Sequence, residues 1–170
     1  MILGMSLSTF TILHTAISLV GIVSGVVVVF GLLSGKRLDG WTALFLLTTV
    51  LTSVTGFMFP FDHLLPSHKV GMISLVVLAF ALVARYSIRL AGGWRRTYVL
   101  TAVMALYLNV FVLVVQSFLK VPALHALAPT QQEPPFLVAQ LIVLAIFIWL
   151  AIAAVKGFRD DNRRALRQAA

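Results

Sequence analysis

The chain has 170 residues, 61% of them hydrophobic and 11% charged, with a formal net charge of +8 and a mean hydropathy of +1.05. A water-soluble domain of this length could not bury so much apolar surface, so the composition predicts a protein that lies in lipid. Cysteine is absent, which excludes disulfides and thiolate metal sites. The basic excess is better explained by cytoplasmic membrane loops than by nucleic-acid binding.

The apolar segments are continuous and do not alternate with polar residues, which favours helices over a membrane β-barrel. A hydrocarbon core about 30 Å thick needs about 20 helical residues per crossing. The sequence therefore predicts an all-α fold, a bundle of five transmembrane helices in one domain, residues 1–158. The predicted spans are residues 7–33, 41–61, 70–90, 98–119 and 136–155.

The basic residues are unevenly distributed over the predicted connections. Eleven of the thirteen fall on one side when the spans are threaded back and forth: Lys36, Arg37, Arg85, Arg89, Arg95, Arg96, Lys156, Arg159, Arg163, Arg164 and Arg167. Because basic loops are retained in the cytoplasm, this predicts an outside N-terminus and an inside C-terminus. For a bacterial source, which the compact chain suggests, the location is the inner membrane. Residues 159–170 are a predicted basic cytoplasmic tail that either extends the last helix or lies on anionic lipid.

Helices one and two each have a face of small and polar residues. Gly21 and Gly25 form a small-residue pair on helix one, below His14, and permit close helix contact. We expect this pair to pack against Thr52 and Gly56 of helix two. The same small face could admit a flat macrocycle if the contact is functional as well as structural.

Polar groups inside the later spans should turn away from lipid. A polar stripe on helix four is formed by Asn109, Gln116 and Lys120. It predicts either interhelical hydrogen bonds or a polar wall that leads to a site at the outer face. In the second case Gln116 and Lys120 are candidates for binding a cofactor. Arg85 is too close to Lys69 along helix three for both to reach opposite headgroup layers. It either extends its side chain to the inner headgroups, or has a partner inside the bundle, or contacts an anion in the inner leaflet.

All four histidines are predicted at or near the outer face. His63 and His68 bracket a tight turn after Asp62, and His14 lies one to two turns below the outer surface. Imidazole is a common ligand of transition metals, and carboxylates often join or orient it. The candidate metal ligands are His14, His63, His68 and Asp62, and the favoured axial ligands of a haem are His14 and His63. No recognised metal-binding spacing is present. Each histidine has a structural alternative, and for His125 that alternative is a simple loop position.

These helices, with outer-end histidines and glycine-rich faces, resemble the membrane subunits of b-type cytochromes in architecture alone. They also resemble small bacterial inner-membrane proteins whose helices carry boundary histidines. The resemblance implies haem b or a divalent transition metal as cofactor, bound for electron transfer, and at most one haem because there is no inner-side histidine pair. Two other functions stay open: a structural or assembly subunit that contacts other membrane subunits, and, less favoured, a small transporter. No nucleophile–base–orienter set is present, so the sequence leans away from an enzyme.

Overall fold

The computed structural model describes residues 2–60 and 66–168, and side chains as far as Phe158. Within these residues the fold is all-helical and has no β-strand. The helices are α1 (Leu7–Leu33), α2 (Asp39–Gly56), α3 (Pro66–Leu82), α4 (Trp94–Lys120), α5 (Pro122–Leu127) and α6 (Pro134–Gln168). The π-helical turn Val83–Ser87 continues α3. The all-α class is therefore as predicted.

Within the described ranges, four helical segments are long and apolar enough to cross a membrane: Leu7–Leu33, Ser67–Ser87, Trp94–Lys120 and Pro134–Phe158. The helix that is not among them, α2, has 18 residues and includes Asp39 and five threonines, which lower its hydropathy. Five crossings and the orientation of the termini thus stay predictions. α5 lies in the proline-rich connection between α4 and α6. α6 extends through the basic tail to Gln168 without a break.

α1 and α2 form the most extensive helix pair, and they run antiparallel. Their contacts run from Gly31–Leu38 through Gly25–Phe45 and Gly21–Thr48 to His14–Thr55. The two residue numbers in each pair add to 69 or 70, because the short connection between the helices sets the register. Each helix therefore runs beside the other over almost the whole length of α2.

The predicted glycine contact with α2 exists, and it includes Thr48, which shares a face with Thr52 and Gly56, but it does not include Thr52 and Gly56 themselves. Gly21 and Gly25 are both buried. A Cβ on Gly21 would meet Thr48 and Thr49 at 3.2–3.4 Å, and a Cβ on Gly25 would meet Leu106 and Phe45 at 2.7–2.8 Å. Thr52 and Gly56 come later in α2 than this register allows, and Gly56 lies beside His14 instead.

The remaining helices pack around this pair. α4 contacts α1, α3 and α6, and α6 also contacts α1. The apolar core lies mainly towards the end of the bundle where α1 ends and α4 begins, and includes Leu32, Phe45, Tyr98, Leu106 and Phe158. We call this the Arg85 end, and the opposite end, where α1 begins and α4 finishes, the His14 end.

Candidate functional site at the two ends of the bundle

The imidazole of His14 is half-buried at the His14 end. Its Nδ1 lies 2.8 Å from the Oγ1 of Thr55. The Phe59 ring packs edge-on against it at 5.2 Å between centroids, and Phe59 in turn contacts the buried Phe10. This ring of α1 is therefore contacted both by α2 and by the segment that follows α2.

The hydrogen bonds of Thr55 favour one tautomer of His14. The Thr55 hydroxyl donates to the Leu51 carbonyl at 2.6 Å, as hydroxyls in helices commonly do. A hydroxyl has one proton to donate, so Thr55 Oγ1 accepts from His14 Nδ1–H. In the neutral ring the lone pair is then on Nε2, which has no hydrogen-bond partner among the described residues. A protein oxygen that fixes the tautomer through one nitrogen is the usual arrangement behind a metal-ligating histidine.

The other predicted site residues are spread around this end. His68 is buried near the start of α3, with its ring 5.6 Å from that of Phe57. Phe57 and Phe59 are two residues apart, so His14 and His68 contact the same short segment, Phe57–Pro60. His125 is exposed on α5.

The cofactor-binding candidates on α4 differ in burial. Gln116 is partly buried, whereas Lys120, the last residue of α4, is exposed and close enough to His14 to act on it electrostatically. Asp62 and His63 lie outside the described residues. Among the residues that are described, no three histidine, aspartate or glutamate side chains come together as a metal-binding group.

A macrocycle does not fit between α1 and α2. The small face formed by Gly21 and Gly25 is already filled by side chains of α2 and α4, so closely that even an added Cβ would meet them at 2.7–3.4 Å. The interpretation of this face as a haem slot is therefore wrong. The physical reason is that small residues in membrane helices let the backbones approach, which closes the gap that they open.

The Arg85 end contains a second polar cluster, in which the guanidinium is buried and its carboxylate partner is exposed. Arg85 is 5% exposed and pairs through Nη2 with the carboxylate of Asp39. The same nitrogen lies 3.4 Å from the Arg37 carbonyl, and the guanidinium is 5.3 Å from the centre of the Tyr98 ring. The Tyr98 hydroxyl is 3.4 Å from that of Thr42. Of the alternatives predicted for Arg85, retention inside the bundle by a partner is the one observed, although that partner, Asp39, is itself exposed.

Three buried polar atoms have no hydrogen-bond partner within the described part of the chain: Nη1 of Arg85, Oγ1 of Thr52 and Oε1 of Gln140. Gln140 does bond through Nε2 to the Phe111 carbonyl at 3.2 Å, which joins α6 to α4. Asn109, the first member of the predicted polar stripe, bonds to Thr49 at 3.2 Å, as expected for interhelical hydrogen bonding.

The sequence reasoning missed Thr55 and Tyr98 as functional contacts. Thr55 was detectable in principle, because the register fixed by the short α1–α2 connection places residue 55 opposite residue 14. Tyr98 had no comparable signal, since only the folding of α3 against α4 brings it over Arg85. No protein-family model, curated protein or solved structure matches this chain.

Proposed function

We propose that this chain is a five-crossing membrane protein that binds a haem b or a transition-metal ion at its outer end through His14, and serves in electron transfer. The observation on which this rests is the 2.8 Å contact of His14 Nδ1 with Thr55 Oγ1, whose own bond to Leu51 favours a proton on Nδ1 and a free lone pair on Nε2 as the ligating atom. His63 is the proposed second ligand, with His68 and Asp62 as further candidates. The protein supplies ligation, orientation and a low-dielectric surround, rather than covalent catalysis.

Lys120 favours an anionic cofactor over a bare cation. A positive charge near His14 opposes the binding of a metal cation unless a carboxylate accompanies it. Haem b has propionates that a lysine can pair with, and Asp62 would play the same part for a metal ion. Because the α1–α2 face is filled, the macrocycle would lie beside Lys120 at the outer end, and Gln116 lies about one turn before Lys120 on α4.

The five crossings are supported by the antiparallel pairing of α2. A helix of 18 residues is about 27 Å long, and α2 runs beside α1 from Leu38 to Thr55. The basic residues place the Arg85 end in the cytoplasm, which for a bacterial chain means the inner membrane. Topology reporters fused after Gly35, Gly92 and Ala170 should report cytoplasm, and those fused after Pro60 and Gln131 should report the outside. A cytoplasmic signal at Pro60 would mean that α2 does not cross.

The ligand is tested by a visible absorption spectrum and elemental analysis of the purified protein. A Soret band identifies haem, and a stoichiometric metal without that band identifies a metal site. His14→Ala should abolish the ligand, whereas His125→Ala, a change at an exposed histidine, should keep it. Occupancy should also fall as pH drops towards about 5, because protonated imidazole does not bind metal. Full ligand content in His14→Ala, or no ligand in the wild type, would reject the proposal.

One observation favours a structural or assembly subunit as the second candidate. Only 6% of the most apolar stretch of α6 is buried, against 28–39% for the other three long segments. Trp149 and Ile152 are more than half exposed on this helix. Because the chain has no cysteine, Ile152→Cys gives a single crosslinking position. A specific crosslink to another membrane protein in native membranes would support this function, and crosslinks to none would leave α6 facing lipid.

A further inference from the structure

The connections at the Arg85 end bring several basic residues to one level of the bundle. Arg85 joins the α1–α2 connection to the end of α3 through the Arg37 carbonyl. Arg95 donates to the Phe158 carbonyl at 3.2 Å, which joins the start of α4 to α6. We call the cationic side chains around these contacts the basic rim: Lys36, Arg37, Arg89, Arg95, Arg96 and Lys156.

The charge of the basic rim is not compensated within the described side chains. The carboxylates among them are Asp39, which pairs with Arg85, and Glu133, which lies at the opposite end. Arg85 itself is withdrawn into the bundle, and its pairing neutralises Asp39. The rim residues, apart from the partly buried Arg95, are exposed. The sequence that follows adds Asp160 and Asp161 but also four arginines, Arg159, Arg163, Arg164 and Arg167, so this end of the chain keeps a net positive charge and attracts an anionic partner.

Exposed aromatic residues indicate the depth of the rim. Trp41 is 46% exposed in the first turn of α2, and Tyr86 is 51% exposed next to Arg85. Tryptophan and tyrosine concentrate at the headgroup level of membranes, where their rings are in apolar surroundings and their polar atoms are hydrated. Arg37 and Arg89 are each within about one helical turn of these aromatics along the chain. The rim therefore lies where lipid phosphates lie, and not in the aqueous space beyond them.

From these observations we infer that the basic rim binds the headgroups of anionic phospholipids. The partner is a lipid rather than an acidic protein because the cations and the exposed aromatic rings share one level. Arg89 has a left-handed backbone, with φ of 53°, in the turn that follows the π-helical segment. Arg37 is fixed in the same region by the bond from Arg85 to its carbonyl. The inference does not depend on the histidine site.

The proposal is tested by measuring which lipids stay bound to the full-length protein. The protein is reconstituted in nanodiscs of equal parts phosphatidylglycerol and phosphatidylcholine, and the lipids that it retains are counted by native mass spectrometry. The wild type should retain phosphatidylglycerol preferentially. A basic residue near an anionic surface contributes about fivefold in affinity, so Arg37→Gln should reduce the preference by about that factor and Lys36→Gln/Arg37→Gln by more. The preference should weaken in high salt.

Lys69→Gln is the matched control, because it removes one exposed charge at the opposite end. It should lower the preference by less than Arg37→Gln does, because Lys69 lies outside the basic rim, and the melting temperatures of all variants should stay close to that of the wild type, since the altered side chains are exposed. An equal loss in Lys69→Gln would mean that only net charge matters. That result, or a wild type without preference for phosphatidylglycerol, would overturn the proposal. Binding of an acidic protein to the rim would not rescue it.

Discussion

The two ends of the bundle hold their polar side chains in opposite ways. At the Arg85 end, a guanidinium that is 5% exposed has an ion pair, a backbone carbonyl and an aromatic ring around it. At the His14 end, a half-buried imidazole has one hydrogen bond and a second nitrogen without a partner among the described residues. A group whose charge is enclosed and paired contributes to the architecture, whereas a group with a spare lone pair near the surface is suited to a ligand. This difference leads us to assign structure to Arg85 and binding to His14.

The largest effect should come from breaking the ion pair at the Arg85 end. Asp39→Ala leaves a buried guanidinium without its anion, and because Asp39 is 78% exposed we expect a loss of about 2–3 kcal/mol, less than for a fully buried pair. Arg85→Met/Asp39→Ala should be less destabilising than the sum of the two single changes, since the charges no longer depend on each other. Thermal unfolding in detergent measures each variant. Additive losses would show that the pair is not coupled.

The next largest effect should come from Gly157, which brings α6 against the end of α1. A Cβ there would lie within 3.0 Å of the backbone carbonyl of Leu33, which cannot rotate away as a side chain can. Gly157→Ala should therefore separate the helices and cost about 1–3 kcal/mol, the usual cost of overpacking. Gly40→Ala is the control, since a Cβ on this helical glycine meets no described atom within 4 Å. Equal melting temperatures for both variants would argue against the close approach of α6.

A smaller effect is expected at the His14 end, where Thr55→Val removes the acceptor of the Nδ1–H. One hydrogen bond contributes about 1 kcal/mol, so stability should fall by that amount. Ligand content should fall further, because the imidazole loses the group that orients it. Thr11→Val is a suitable control, as Thr11 bonds only to the Leu7 carbonyl of its own helix. Unchanged ligand content in Thr55→Val would show that binding does not depend on the orientation of the ring by Thr55.

The smallest effect concerns Glu133, in the connection before α6. Partial desolvation raises the pKa of this carboxyl, but hydrogen bonds from its own backbone, Thr130 and Gln132 outweigh it and hold the pKa below its usual value. The carboxylate therefore stabilises the connection above the ordinary pKa of glutamate, and this stabilisation is lost as the pH falls through the lowered value. Hydrogen exchange of the Thr130 and Gln132 amides should report it. In Glu133→Gln the pH dependence of this protection should disappear. If the pH dependence persists, a different titrating group causes it.

Some features of the fold could be predicted from the residues alone. The first helix ends where the prediction ended it, at Leu33, because the chain then meets Ser34 and Gly35 at the end of a long apolar segment. The starts of α3 and α6 were predicted four and two residues late. Both begin at a proline, which the first turn of a helix accepts because it needs no N–H there. The mean hydropathy of α2 is lowered by its threonines, although two of them, Thr48 and Thr55, satisfy their hydroxyls on carbonyls of the same helix.

The sequence by itself determined an all-helical chain for a lipid environment, a concentration of basic residues at one end and histidines towards the other. These properties follow from composition and order along the chain, and they need no knowledge of which helices are neighbours. Only the tertiary structure decided that Asp39 neutralises Arg85, that Thr55 orients His14 and that α4 fills the glycine face. Each of these depends on distances between helices, and hydrogen bonds and packing change over a few ångströms, a scale that helical periodicity does not fix.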